Sequence, residues 1–220
     1  MESDRISACP LGLDPVFKPA DDPLRLADWK KRIGIAPENR YVIAHTGHLE
    51  RKNLLGIISA IHAIRQEPDQ KELFLVFTGG EKNLKKEFES RIPRFIDWKK
   101  FVRFTGQIRD EEFPILYSGA DLMVFLSLAE GFGLPPLEAM ACGLPVVCSN
   151  RTSMPEITGS AAILVDPADS DGVVDNILKV LRSDFLRNEL KTRGLKRAEQ
   201  LTWEAARPHL KKIWDHALAS

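Results

Sequence analysis

Short apolar runs, each bounded by glycine or charge, alternate along this chain with segments whose apolar residues recur every three or four positions. The runs "YVIAHTG" (41–47), "ELFLVFTGG" (72–80), "FVRFTG" (101–106), "DLMVFLS" (121–127), "PVVCS" (145–149) and "AAILVD" (161–166) each read as a β-strand. Their cores are nearly all apolar instead of alternating with polar residues, the pattern of strands covered on both faces. Between the runs, Leu54, Ile57, Ile58, Ile61 and Ile64 share one face of a helix over 53–66. Helical spacing returns at 82–92, at 110–120 with Asp110 placed as N-cap, at 134–143 closed by Gly143, and briefly in "MPEITGS" (154–160). Three helical stretches finish the chain, over about 169–182, 184–200 and 203–218.

The first forty residues break this rhythm. Pro10, Pro15, Pro19 and Pro23 disfavour a long helix there. "DPLRLADWKKRIGI" (22–35) reads as a short helix that starts at Asp22 or Pro23 and ends near Gly34. The whole pattern predicts an α/β fold, a parallel sheet with helices on both faces. Ligands of such sheets lie beyond the C-terminal ends of the strands. Here "TGHLERKN", "TGGEKN", "TGQIRD" and "SLAEGFG" put glycine or charge at four of those ends, which predicts one shared crevice.

Composition narrows the classes. With 220 residues, 44% of them hydrophobic, the chain can bury a full core. Lys+Arg and Asp+Glu each number 31, so the formal net charge is zero and nucleic acid is not an expected partner. Cys9, Cys142 and Cys148 form no CxxC pair and no zinc spacing, so they read as reduced structural thiols. No apolar run approaches the ~20 residues that span a bilayer. "MESDRISACPLGLDPVF" lacks the basic flank and apolar stretch of a signal peptide. A soluble cytoplasmic protein is expected, with peripheral membrane contact left open.

Two of the strand ends carry chemistry. In "GHLERKNLLGI", Gly47 permits a turn close to a ligand, and Arg51 and Lys52 fall beside the start of the helix that Asn53 opens. Cations are unfavourable at that positive helix end unless an anion such as a diphosphate lies between them. In "EGFGLPPLEAMACG", Gly131 and Gly133 precede Pro135 and Pro136, which suit a first helical turn. The amides of Phe132, Gly133 and Leu134 are therefore expected to stay unpaired and face the crevice. Glu130 and Glu138 bracket that turn with seven residues between them. Glu138 is expected in the first turn, ionised in the helix field, accepting the two vicinal hydroxyls of a ribose. Glu130 is placed to accept hydroxyls of a second sugar. No acidic cluster of the DxD kind is visible, so no metal and no cofactor are expected.

"SLAEGFGLPPLEAMACGLPVVCSN" resembles the signature of the retaining GT-B glycosyltransferases, in particular family 4, glycosyl transferases group 1. The spaced glutamates are similar to that family's donor-site motif, and "GHLERKNLLGIISAI" to its phosphate-binding turn. "FVRFTGQIRDEEFPILYSGADLMVFLS", "MPEITGSAAILVDPADSDGVVDNILKVL" and "LTWEAARPHLKKIWD" resemble its base-side segment and closing helices, and "PLGLDPVF" its linker. The resemblance, over residues 9–218, implies a Rossmann-like sheet of about six strands, the C-terminal half of a GT-B fold with a helical C-terminal tail. It implies a linker over 1–40, a donor-binding domain over 41–200, and a C-terminal helix over 201–220 that packs back on an N-terminal domain outside this sequence.

Residue by residue, the resemblance implies that Glu138 holds the donor ribose and Glu130 the transferred sugar. Gly47 and the amides of Phe132, Gly133 and Leu134 would line sugar and phosphate. Arg51 and Lys52 would neutralise the leaving diphosphate, and Gly106, Gln107 and Ile108 would lie along the base. The donor implied is a nucleotide-diphosphate sugar, GDP-mannose ahead of UDP- or dTDP-hexoses, with retention, no metal, and departure and attack on one face of the sugar. Glu130 is not assigned as a nucleophile. The acceptor, a glycan or lipid-linked glycan, would belong to the other domain, supplied in cis or in trans, so this chain is expected to bind donor with little or no turnover. Two departures stand out: His48 replaces a common Arg, and "GHLERKN" is one residue shorter than a form with Pro, which leaves the register of Arg51 and Lys52 open. The rival readings are a non-catalytic nucleotide-sugar-binding or scaffolding module and a nicotinamide-dependent dehydrogenase. The second needs a GxGxxG after the first strand, and "TGHLERKN" supplies none.

Overall fold

The computed structural model describes residues 7, 9, 11–79 and 84–219. Six strands form one parallel sheet: β1 (Tyr41–His45), β2 (Phe74–Thr78), β3 (Val102–Phe104), β4 (Leu122–Phe125), β5 (Val146–Ser149) and β6 (Ile163–Val165). The expected strands are all present, each shorter by a residue or more, and both apolar and polar end residues leave the ladder. The end of the second expected strand and the start of the 82–92 helix fall on residues 80–83, outside the described residues, as does part of "TGGEKN".

The sheet order is β3-β2-β1-β4-β5-β6. It grows outward from β1 in one direction and then from β4 in the other. β1 therefore pairs with both β2, Ile43 beside Val76, and β4, Ile43 beside Met123. The order reverses between β1 and β4, and crevices of open α/β sheets form at such a point.

Successive side chains of each strand enter opposite cores. Val42, Ala44, Leu75, Phe77, Leu122, Val124 and Val147 face one core, with α2 (Leu54–Ile64), α3 (Leu84–Arg91) and α7 (Ser170–Arg182) over them. Tyr41, Ile43, Phe74, Val76, Met123, Phe125, Val146 and Cys148 face the other, under α1 (Pro23–Arg32), α4 (Phe113–Ser118) and α5 (Leu134–Ala141). Two covered faces explain the apolar runs. In α2, Leu54, Ile57, Ile58, Ile61 and Ile64 are all buried, each worth about 1.5–3 kcal/mol as burial of a large side chain. Cys142 and Cys148 are buried free thiols, and burial pushes both up to about 12.

Caps set several helix ends. Asp22 accepts the Arg25 N–H at 3.0 Å ahead of Pro23, and Asp169 accepts the Gly172 N–H at 3.0 Å. Asp110 does not cap α4: it opens a short 3-10 turn, where the Glu112 carboxylate accepts the Arg109 N–H at 3.3 Å. Asn53 takes the N-cap position of α2 in a left-handed conformation, φ 52°, without a side-chain cap bond. After α6 (Met154–Thr158), α8 (Asp184–Glu199) packs across α5, and its Arg197 donates to the Ile157 and Glu156 carbonyls at 2.8 and 2.7 Å. The N-terminal segment meets the C-terminal helices where Leu13 N–H donates to the Leu201 carbonyl at 2.8 Å, just before α9 (Trp203–Ala219). No helix among the described residues is long and apolar enough to cross a membrane.

Candidate functional site

The loops after β1 and β4 lie side by side where the sheet order reverses. They are stitched together: Leu128 N–H donates to the Arg51 carbonyl at 2.8 Å, and the Arg51 guanidinium to the Ala129 carbonyl at 3.0 Å. Residues far apart in sequence thus share one rim. Gly47 has a φ of 152°, and a Cβ there would lie 3.2 Å from Lys52 Cγ, so the turn needs a residue without a side chain to let Lys52 fold beneath it.

Arg51 and Lys52 do not project together toward solvent. Both reach Glu130 Oε1, at 3.0 Å from Arg51 Nη1 and 2.7 Å from Lys52 Nζ. Lys52 is turned inward, its Nζ 4.4 Å from the centre of the Phe125 ring, and its side chain is 10% exposed against 46% for Arg51. The open question of register thus resolves into two environments, one cation beneath the rim and one on it. Burial works against a charged Glu130, yet the contacts with Lys52 and Arg51 outweigh it and hold the carboxyl below its ordinary value. Two cations facing one carboxylate leave one positive charge to meet an anion at this corner.

The β4–α5 turn has the geometry expected from its glycines and prolines. Gly133 is left-handed, φ 109°, at the N-cap of α5, with Leu134, Pro135 and Pro136 following. Among the described residues the amides of Phe132, Gly133 and Leu134 donate no hydrogen bond. A row of free N–H groups at a helix start attracts an anion or a hydroxyl oxygen. Glu130 is fixed from behind by the loop after β5: its N–H donates to Thr152 Oγ1 at 3.0 Å, and Ser153 Oγ donates to its carbonyl at 3.3 Å. Thr152 is itself left-handed, φ 50°.

Glu138 departs from its expected setting. It is the fifth residue of α5, past the first turn, and half-buried. Burial pushes its carboxyl up to about 7, against the Tyr117 hydroxyl bond and helped by Asp110 and Asp14. The Tyr117 hydroxyl lies 3.2 Å from Glu138 Oε2, and His45 Nε2 lies 2.6 Å from that same hydroxyl. The base-side segment starts beyond β3, where Gly79 N–H donates to the Gly106 carbonyl at 3.2 Å. Gln107 is exposed, and Ile108 is partly buried against the second core. His48 is exposed on the first turn.

Residues 28–197 match the glycosyl transferases group 1 family. The chain belongs to that family. It is 38% identical to the O-antigen chain mannosyltransferase B of Escherichia coli over 156 residues, which are 70% of this chain and 40% of that protein. The chain spans about half or less of the length of the curated relatives it matches. A solved C-terminal domain of a glycosyl transferase group 1 family protein (LpcC) from Francisella tularensis superposes with a TM-score of 0.70 at 27% identity, over 86% of this chain and 97% of that one. Anabaena Alr3699/HepE, solved in complex with UDP-glucose, shares the fold with a TM-score of 0.74 at 22% identity, over 95% of this chain and 56% of that one. The six-stranded sheet with its helical C-terminal end is thus the Rossmann-like unit of GT-B glycosyltransferases.

The structure brings Gly47, Arg51, Lys52, Glu130, Phe132, Gly133, Leu134 and Glu138 to the two loops at the reversal and the helix that follows, with Gly106–Ile108 beyond the edge strand β3, two places from β1. Sequence reasoning missed Thr152 and Ser153, which fix Glu130, and His45 and Tyr117, which reach Glu138. Thr152, Ser153 and His45 carry no chemical signal in the sequence, and Tyr117 lies in the base-side segment without a role assigned to it. His45 reads as part of an apolar strand and Tyr117 as part of an amphipathic helix, and only the packing of α4 against β1 joins them.

Proposed function

We propose that this chain is the donor-binding half of a retaining glycosyltransferase. It moves a hexose from a nucleotide-diphosphate sugar to a glycan or lipid-linked acceptor. The carrying observation is that Glu130 and Glu138 flank three free amides at the point where the sheet order reverses. In this reading Glu138 accepts the ribose hydroxyls and Glu130 those of the transferred sugar. The amides of Phe132, Gly133 and Leu134 and the turn at Gly47 receive the distal phosphate and sugar. Arg51, with Lys52 behind it, takes up the negative charge that grows on the diphosphate as the sugar departs. Gly106, Gln107 and Ile108 border the base. With two cations held on its Oε1, Glu130 is a weak nucleophile, which favours departure and attack on one face of the sugar. Mannose is the leading sugar because the O-antigen relative is a mannosyltransferase, so GDP-mannose is the leading donor.

The acceptor side belongs to an N-terminal domain of the kind that the longer relatives have room for. The face of α9 that carries Leu210, Trp214 and Leu218, all exposed, is the surface assigned to pack on it. The enzyme would then work in the cytoplasm, at a membrane surface where its acceptor is lipid-linked, and needs no metal because the cations and the helix start supply the charge.

Calorimetric titration of the chain with GDP, UDP, dTDP and their hexose conjugates, in EDTA, tests the reading. One nucleotide class is expected to bind, with loss of at least tenfold in affinity in Glu138→Ala, about the worth of a hydrogen bond to a charged group. Wild-type chain that binds none of these nucleotides overturns the donor-site reading, and binding that needs an added divalent cation overturns the metal-independent part.

A further inference from the structure

A polar chain leads from the strand β1 through the buried Tyr117 to Glu138. His45 Nε2 is 2.6 Å from the Tyr117 hydroxyl, which is 3.2 Å from Glu138 Oε2. Tyr117 is fully buried, and its ring is held by Phe17 and Phe113 at 6.3 and 5.5 Å between centroids. The His45 ring lies parallel to Phe113, 5.7 Å away and 7° from coplanar orientation, so its Nε2 is aimed at the hydroxyl by packing. A buried phenol hydroxyl has one proton to give and needs a donor for its own oxygen. We propose that Tyr117 and His45 are positioning residues for Glu138: the Tyr117 hydroxyl holds one carboxylate oxygen and leaves the other for a ribose hydroxyl, and His45 keeps that hydroxyl pointed at the carboxylate.

The proton count makes this a coupled arrangement. When Glu138 is ionised it only accepts, so Tyr117 donates to Oε2 and its oxygen accepts from His45 Nε2–H. When Glu138 is protonated it can donate to the Tyr117 oxygen. The Tyr117 proton then turns to His45 Nε2, which requires the tautomer with its proton on Nδ1. One proton gained on the carboxyl reverses both hydrogen bonds. A neutral imidazole is what the site enforces, since burial, with Lys52 nearby and against Glu130, pushes His45 down to about 3. The charged and titratable groups around Glu138 are Asp110 ahead of α4, Asp14 of the N-terminal segment and Cys142 at the C-cap of α5, besides Tyr117. Both aspartates oppose the ionised carboxylate, which leaves the Tyr117 hydroxyl to favour it.

The consequence for donor binding rests on the assignment of Glu138 to the ribose, and the test separates the two. The Glu138 carboxyl is followed by carbon NMR from pH 5 to 9 in the whole chain, assigned by its loss in Glu138→Gln. Tyr117→Phe is expected to move the midpoint up by about one pH unit, the size of one lost hydrogen bond to a charge. His45→Leu is expected to move it in the same direction by less, and His45→Gln, which keeps an N–H, to restore it. These two variants carry the test if Tyr117→Phe does not fold. GDP and UDP affinity are measured over the same range. Wild-type affinity should rise about tenfold from pH 6 to 8 as the ionised fraction grows, and the rise should shift with the NMR midpoint in Tyr117→Phe. An unmoved midpoint in both Tyr117→Phe and His45→Leu overturns the proposal. A moved midpoint with nucleotide affinity indifferent to Glu138→Gln supports the relay and removes the ribose assignment instead.

Discussion

Glu138 is under two opposed demands. The proposed ribose contact calls for its ionised form, while the folded chain favours the neutral one, because burial raises the carboxyl from 4.5 to about 7. The sign for stability follows from linkage. An acid whose folded pKa is raised binds its proton to higher pH in the native state than in the unfolded one. Its contribution is fully present below about pH 4.5 and is lost as pH rises through about 7. Wild-type chain is therefore expected to lose about 2 kcal/mol relative to Glu138→Gln between those limits, a figure reduced for the residue's partial exposure. Urea unfolding of both proteins at a series of pH values checks this, and parallel curves would contradict it. Glu130 shows the opposite balance. Its two cationic neighbours overcome the cost of burial, so the carboxyls of the two glutamates are shifted in opposite directions.

Among the elements, the β4–α5 turn does most to build the site. Its left-handed glycine ends the loop, its prolines start a helix without needing N–H partners, and three amides stay free between the glutamates. Gly133 is constrained chiefly by its backbone, and Met154 would have to shift for any side chain placed there. Its φ is 109°, and a Cβ would lie 2.1 Å from Met154 Cε, on the short helix α6 that follows β5. Gly133→Ala is expected to destabilise the chain by about 1–3 kcal/mol through strain at a position that L side chains rarely adopt. Nucleotide binding should fall further than stability, since the amides move with the turn. Thermal unfolding alongside titration distinguishes this from a general loss of fold, and equal stability in the variant would show that the turn adapts.

Besides the candidate site, the described residues leave an apolar face of the last helix exposed. Leu210, Trp214 and Leu218 recur every four residues on α9 and are exposed, while Ala206 on the same helix is buried. A double Trp214→Ser, Leu218→Ser variant is expected to unfold within about 0.5 kcal/mol of wild type, as for substitutions of solvent-facing residues. The chain by itself is expected to bind a nucleotide sugar and to transfer no sugar in an assay with radiolabelled donor. Turnover by the chain alone would refute its reading as a donor-binding half.

Much of this was legible along the chain. Apolar runs predict the six strands because both faces of the sheet are covered, and periodic Leu and Ile predict α2 because only one of its faces meets the core. Glycines, prolines and paired glutamates mark the β4–α5 turn because each has a local conformational or chemical reason to be there. Local rules served less well for Asp110 and Asn53, whose side chains cap nothing, since backbone and Glu112 contacts satisfied those helix starts instead. Charge state was decided only in three dimensions. Whether Lys52 meets solvent or Phe125, and whether Glu138 feels the helix field or its own burial, depends on neighbours brought in from other elements. The sheet order that sets β1 beside β4 also brings His45 to Tyr117, and Tyr117 to Glu138, 72 and 21 residues apart in sequence. Desolvation and hydrogen bonding act through space, and sequence spacing carries no record of them.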